Sequence, residues 1–243
     1  MRLNQTHTSN DIINLIKNPN INNDCQKKIK TTQEIFTKKQ LWNIFLYEFK
    51  LMFGVSFIDT EQNTNNIKAL FYYFLDDDAF FTCNNVKTDI SKPSFKKGLM
   101  VVGGYGIGKT AYFKVFEKIF KSHSSLRFTS FGAKELVNKY EVCLTSVDKS
   151  YMINQTVRSG LSIDDINSER TANNFGKCEV IEEILFIQNE KKYRTFVTCN
   201  HTNPENNIEQ TLLDLGKRYG GRSHDRFFEM FNIIEFTGKS MRR

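Results

Sequence analysis

Eight consecutive residues carry the most specific chemistry in this sequence: Gly103-Gly104-Tyr105-Gly106-Ile107-Gly108-Lys109-Thr110. They match G-x-x-x-x-G-K-[ST] at every fixed position. Glycines let a backbone curl until its N–H groups converge on phosphate oxygens, a path that side chains would obstruct. A helix that starts directly after the loop adds the partial positive charge of its N-terminus. In such a loop Lys109 reaches the β- and γ-phosphates of a nucleoside triphosphate, and the Thr110 hydroxyl ligates Mg²⁺. The expected ligands are therefore ATP and Mg²⁺, held by the loop and by Ala111 at the start of the helix.

A second cluster follows at Leu161-Ser162-Ile163-Asp164-Asp165. A carboxylate at the C-terminal end of a parallel strand lies beside the phosphate loop, where open sheets bind their ligands. Asp164 is expected to hold Mg²⁺ through water, and Asp165 to orient or deprotonate the attacking water. Without the loop, the same pair would read as an acidic turn after a strand. Asn200 ends the run Thr195-Phe196-Val197-Thr198-Cys199. It either holds the attacking water or opens an ordinary turn, Asn200-His201-Thr202-Asn203-Pro204, and the bare sequence leaves both open. Arg222 and Arg226 stand four apart, on one face of a helix. Spacing alone favours a surface pair over a donor to a γ-phosphate. Asp76-Asp77-Asp78 reads as a solvated turn rather than a metal site, since acids at a helix C-terminus oppose its dipole. The histidines lack metal-ligand spacing.

The elements that must position these groups can be read from apolar spacing. Leu41, Ile44, Phe45, Leu46, Phe49 and Met52 recur every three or four residues and predict a buried helix over residues 38–53. Ile67, Leu70, Phe71, Phe74 and Leu75 predict another. A shorter apolar cluster at Ile12, Ile13, Leu15 and Ile16 suggests one more. Residues 84–98 are polar and read as a linker. Leu99-Met100-Val101-Val102 is a buried strand, followed by a helix over 111–121. Strands are expected at 126–130, 161–163, 195–198 and 233–236, with helices near 133–142 and 179–188. Strands alternating with helices imply a parallel sheet with crossover helices.

Composition narrows the class. The chain has 243 residues, of which 40% are hydrophobic, enough for a core. A net charge of +7, spread evenly along the chain, permits a polyanionic partner without specifying one. Five cysteines, Cys25, Cys83, Cys143, Cys178 and Cys199, are odd in number and widely spaced. They argue against a disulfide framework or zinc module and for a reducing compartment. No apolar run approaches the ~20 residues of a membrane helix, and the first residues do not resemble a signal peptide. A cytoplasmic, soluble protein is expected.

Taken in order, the motifs resemble the DnaC/IstB-like AAA+ ATPases, a family of bacterial and phage helicase loaders and of ATP-dependent partners of some transposases. The likeness covers roughly residues 97–243. Its more specific parts are Arg218-Tyr219-Gly220-Gly221-Arg222-Ser223-His224-Asp225-Arg226 and Phe236-Thr237-Gly238-Lys239-Ser240-Met241-Arg242. It implies an α/β AAA+ P-loop core of parallel sheet and flanking helices over 93–243, without a separate C-terminal lid. A small helical partner-binding region over 1–92 would precede it. The resemblance gives Asn200 the sensor-1 role, Arg226 that of an arginine finger acting on the next subunit, and Arg242 that of sensor 2 at the nucleotide. It implies homo-oligomers on ATP binding, a replicative helicase as partner and single-stranded DNA as ligand. The alternative within the family is a transposase partner acting on duplex DNA. A small-molecule kinase, the reading from another class, finds neither acceptor pocket nor arginine-bearing lid here. In the loader branch DNA contacts can come from the segment after the acidic pair, here residues 170–175, where Phe175 is a stacking candidate or a core aromatic. The sequence departs from the family where Asn167 follows Ile166 in place of glycine, and where Met241 replaces an aromatic.

Overall fold

The computed structural model describes residues 35–241. The apolar cluster at 12–16, Cys25 and Arg242 lie outside the described residues. Helix α1 (Lys38–Phe53) opens with a capping box. Thr37 Oγ1 accepts from the Gln40 amide at 3.2 Å, while the Gln40 side chain accepts from the Thr37 amide at 3.0 Å. It buries Leu41, Phe45 and Phe49 and stops at Gly54. Helix α2 (Glu61–Phe74) is capped by Thr60. A single 3₁₀ segment, Asp78–Thr82, follows. Its cap is Asp77, which accepts from the Ala79 amide at 2.9 Å and pairs with Lys38 at 2.5 Å. The acid triplet is thus a capped turn. No group of three or more metal-ligating side chains occurs among the described residues.

The remaining elements are β1 (Gly98–Gly103), α3 (Lys109–Phe120), β2 (Thr129–Gly132), α4 (Ala133–Glu141), α5 (Ser146–Thr156), β3 (Leu161–Ile166), β4 (Ala172–Asn173), β5 (Lys177–Cys178), α6 (Val180–Glu190), β6 (Thr195–Cys199), α7 (Ile208–Tyr219), α8 (Gly221–Met230) and β7 (Phe231–Phe236). Five strands form one sheet in the order β2-β3-β6-β1-β7, every pair parallel. Strands β4 and β5 make a small antiparallel hairpin.

Alternation along β1 explains the layering. Leu99 and Val101 join one apolar cluster, Met100 and Val102 the other, so the sheet is buried on both faces. The first cluster is closed by α1, α2 and α3 through aromatic contacts. Phe116 of α3 lies 5.4 Å from Phe45, 5.2 Å from Phe71 and 4.8 Å from Phe74, ring centre to ring centre. The second is covered by α4, α6 and α7.

Several boundaries differ from expectation. Helix α3 begins at Lys109, directly after the left-handed Gly108, whose carbonyl accepts from the Tyr112 amide at 2.9 Å. Strand β2 begins at Thr129, since the amides of Leu126 and Arg127 turn back to the His123 carbonyl. Strand β3 runs on through both aspartates. The segment 84–98 is no free linker. Glu235 N bonds to Asn85 O at 2.8 Å, Lys87 N to Ile233 O at 2.9 Å, and the Asn232 amide to Ser94 O and Gly98 O. These bonds cover the open edge of β7, where unpaired backbone would otherwise face a partner strand. Helices α5 and α7 and the β4–β5 hairpin were not expected. No described helix is long and apolar enough to cross a membrane.

Candidate active site

The sheet order decides which residues can meet. Strands β3, β6 and β1 are neighbours and parallel, so their C-terminal ends place Asp164 and Asp165, Asn200, and the 103–110 loop side by side. Asp164, Asp165, Asn200 and loop residues 105–110 border one cleft. Within the loop, Gly108 has φ of +94°, and a Cβ there would lie 2.7 Å from the Tyr112 ring. Gly104 is different: a Cβ there would meet nothing within 4 Å. Packing does not require that glycine.

Lys109 is buried. Its Nζ donates to the carbonyls of Gly103 and Gly104, each at 2.7 Å, and to Asn200 Oδ1 at 2.9 Å. The Asn200 amide nitrogen then donates to Asp165 Oδ1 at 2.5 Å. A lysine can only donate and a carboxylate only accept, so the orientation of the Asn200 amide between them is fixed. The result is a relay from Lys109 through Asn200 to Asp165.

A second set surrounds Asp164. The Thr110 hydroxyl lies 3.0 Å from both carboxylate oxygens, and the Thr198 hydroxyl donates to Asp164 Oδ1 at 2.7 Å. A hydroxyl and a carboxylate are hard oxygen donors. Two protein ligands with the rest left to phosphate and water suit Mg²⁺, so the residues fit the ion.

Cys199, the last residue of β6, is fully buried. Burial pushes the Cys199 thiol up to about 12. Burial also lowers the His201 imidazole below its ordinary value; Glu235 opposes that shift, while Lys109 and Lys87 add to it.

Apolar side chains also line the cleft: Phe53 at the end of α1, Val55 and Ile58 in the α1–α2 connection, and Met241. The Met241 amide donates to the Gly106 carbonyl at 2.9 Å, so the chain after β7 folds back onto the loop. Sequence reasoning missed these apolar residues, since they lie far from the motif and look like ordinary core. It also missed Thr198, although a hydroxyl two residues before Asn200 in an apolar strand was a visible signal.

Tyr105 is exposed at the mouth, and Ile107 is buried under the loop. Arg226 does not join the cleft. It lies over the Phe186 ring at 4.0 Å and reaches Glu190 at 3.4 Å, both on α6. Phe175 is not a core aromatic. It is 94% exposed at the tip of the β4–β5 hairpin, with a left-handed φ of +54°.

No protein-family model and no curated protein matches the sequence. Solved structures do. DnaI aligns with a TM-score of 0.48 and 20% identity over 76% of this chain and 89% of its own. The DnaC helicase loader aligns with a TM-score of 0.53 and 19% identity, covering 82% of this chain and 99% of that protein. With the phosphate loop, the acidic strand end and the parallel order β2-β3-β6-β1-β7, that likeness gives this chain the α/β AAA+ P-loop fold of the DnaC helicase loader.

Proposed function

We propose that the chain is an ATPase that loads a replicative helicase, working as a homo-oligomer on single-stranded DNA in the cytoplasm. The relay Lys109–Asn200–Asp165 carries the catalytic part of this reading. In it, a phosphate-seeking cation and a candidate base share one amide. Arrival of a triphosphate offers Lys109 a more strongly charged acceptor than the Asn200 carbonyl oxygen. Lys109 then turns to the phosphates, and Asn200 is left to hold water between itself and Asp165. Asp165 takes the proton as that water attacks. Thr110 and Asp164 would hold Mg²⁺, which when bound neutralises charge on the phosphate oxygens. The apolar side chains Phe53, Val55 and Ile58 that line the same cleft suit the base.

Arg226 lies outside its own cleft, and the role of arginine finger toward a neighbouring subunit is assigned to it by resemblance. Arg242 is assigned to the nucleotide by resemblance alone. Exposed Tyr47 and Leu51 on α1 support contact with a protein partner by the 1–92 region. Exposed Phe175, with Lys149 5.6 Å from its ring centre, supports base stacking by the hairpin. The DnaC likeness adds the loader role by analogy.

The test begins with Lys109→Ala. It should weaken ATP binding by about 10–100-fold or more, the worth of one to two charge-assisted hydrogen bonds. Full binding and turnover in that variant would sink the site assignment. Pull-down of a hexameric helicase supports the loader reading, while filaments formed only on duplex DNA would favour a transposase partner.

A further inference from the structure

Consecutive residues of a strand point to opposite faces of a sheet. Asp164 and Asp165 nevertheless both border the cleft. The pairing of β3 with β6 explains how. Ile163 faces Val197, and the next matched pair is Ile166 with Cys199. Two residues, Asp164 and Asp165, therefore stand opposite one, Thr198. This is a bulge, a device that re-aims side chains beside functional sites. Asp165 takes the left-handed conformation, φ +59°, which few side chains other than Asn and Asp adopt readily.

A bulge also breaks the backbone ladder, and the freed groups need partners. The side chain of Thr198 supplies one. Its hydroxyl accepts from the Asp165 amide at 2.9 Å and donates to Asp164 Oδ1 at 2.7 Å. A hydroxyl has one proton to give, and here it goes to the Asp164 carboxylate. On the far side of the bulge the Ser168 hydroxyl donates to the Asp165 carbonyl at 2.6 Å. Thr198 is 1% exposed and both partners are half-buried, so the two bonds are partly screened from solvent.

We propose that Thr198 is the positioning residue of the acidic pair. One buried hydroxyl holds the Asp164 carboxylate beside Thr110 and, at the same time, holds the bulge that turns Asp165 toward Asn200. The inference rests on the nucleotide and Mg²⁺ reading above and assigns the orientation of both carboxylates to a single side chain. Thr198 borders the same cleft, and its hydroxyl is engaged by Asp164 and the Asp165 amide. It acts through Asp164 and Asp165.

The consequence is a split between phosphate binding and metal binding. The 103–110 loop holds phosphate without Thr198, whereas Asp164 is aimed by it. Removing a group that orients a metal ligand typically costs about 10–100-fold in metal affinity.

The experiment compares the wild-type chain with Thr198→Val, which keeps the shape and drops the hydroxyl, and with Thr198→Ser, which keeps the hydroxyl. Two titrations are read: a fluorescent ATP analogue in EDTA, and Mn²⁺ in the presence of ATP followed by its EPR signal. In Thr198→Val, nucleotide binding in EDTA should stay within about twofold while Mn²⁺ binding weakens about 10–100-fold. Thr198→Ser should restore Mn²⁺ binding, and Thr198→Val should add little to the Mn²⁺ defect of Asp164→Asn. Unchanged Mn²⁺ affinity in Thr198→Val overturns the proposal. So does an equal loss of nucleotide binding in EDTA, which would mark mere structural support, or a failure of rescue by serine. Thermal melting checks that each variant folds, and Thr198→Ala replaces the valine variant if that one does not. Absence of nucleotide binding in the wild type would instead sink the underlying reading, so the two failures are told apart.

Discussion

Lys109 donates a 2.9 Å hydrogen bond to the side-chain carbonyl of Asn200, a residue 91 positions further along the chain. The bond joins the phosphate loop after β1 to the tip of β6. It exists because those two strands are parallel neighbours in register from Leu99 with Phe196 to Val102 with Cys199. The first prediction follows from it. Asn200→Ala removes both the acceptor for Lys109 and the donor to Asp165. Hydrolysis should fall by about 10²-fold or more, in line with loss of a positioned group at a proton-transfer step. Nucleotide binding should change by only a few fold, since Lys109 keeps the phosphates. Stopped-flow binding and steady-state phosphate release separate the two. A variant with wild-type turnover would remove Asn200 from the mechanism.

The second prediction concerns Arg226, which is held on α6 by Phe186 and Glu190. If it serves a neighbouring subunit, Arg226→Ala should bind nucleotide normally and lose hydrolysis by about 10³–10⁵-fold, the range of arginine fingers. Asp165→Asn should also be inactive, but for a reason inside its own cleft. Mixing the two inactive chains creates some interfaces with an intact Asp165 facing an intact Arg226, and turnover should partly return. No recovery at any mixing ratio would count against action in trans.

How much of this was legible in the sequence depended on how local the signal was. The loop 103–110 is a contiguous motif, and the backbone it encodes is the one found. Asp164 and Asp165 were readable because an apolar strand led to them. The bulge was not readable, because register is a property of two strands, and β6 lies about thirty residues away. Phe53, Val55 and Ile58 were legible as apolar but not as cleft residues. Their place depends on how α1 packs against Phe116, which no periodicity reveals. Helix α7 was legible, since Ile208, Leu212, Leu215 and Tyr219 recur at four- and three-residue spacing, but the Asn-rich turn before it masked that signal. Phe175 showed the limit most plainly, since exposure and backbone strain leave no mark in composition.

The third prediction tests the tie between the segment after the acidic pair and the end of α7. The Glu169 side chain is only 1% exposed. It accepts from the Tyr219 hydroxyl at 2.6 Å and pairs with Arg218 at 2.9 Å, while Arg218 also reaches Glu179 at 3.3 Å. Arg218→Ala leaves that carboxylate with a neutral partner alone. Breaking a buried pair in this way costs about 3–5 kcal/mol. Urea unfolding should show a clear loss for Arg218→Ala and a smaller one for Tyr219→Phe, which removes a hydrogen bond but no charge. Equal stability of Arg218→Ala and wild type would show that the network contributes nothing net.

The last prediction is a pH dependence centred on His201. The imidazole follows Asn200 directly, lies 3.4 Å from Thr211 Oγ1 and 3.8 Å from Glu235, and is held mainly uncharged by burial. Its folded value is lowered from 6.5. Between the folded value and 6.5 the unfolded chain therefore binds more protons than the folded one, and stability rises with pH across that window. The contribution is complete above 6.5 and is lost as the pH falls through the window. His201→Gln keeps a hydrogen-bonding side chain and removes the titration. Denaturant melts at about pH 7.5 and about pH 5.5 should show the wild type losing more stability on acidification than the variant. Glu235, with Lys87 2.5 Å from it, faces the same ring and raises the folded value, so Glu235→Gln should widen the wild-type loss. Identical acid sensitivity in wild type and His201→Gln would mean that the ring takes up its proton equally well folded and unfolded, and would remove it as the source of any acid lability in this site.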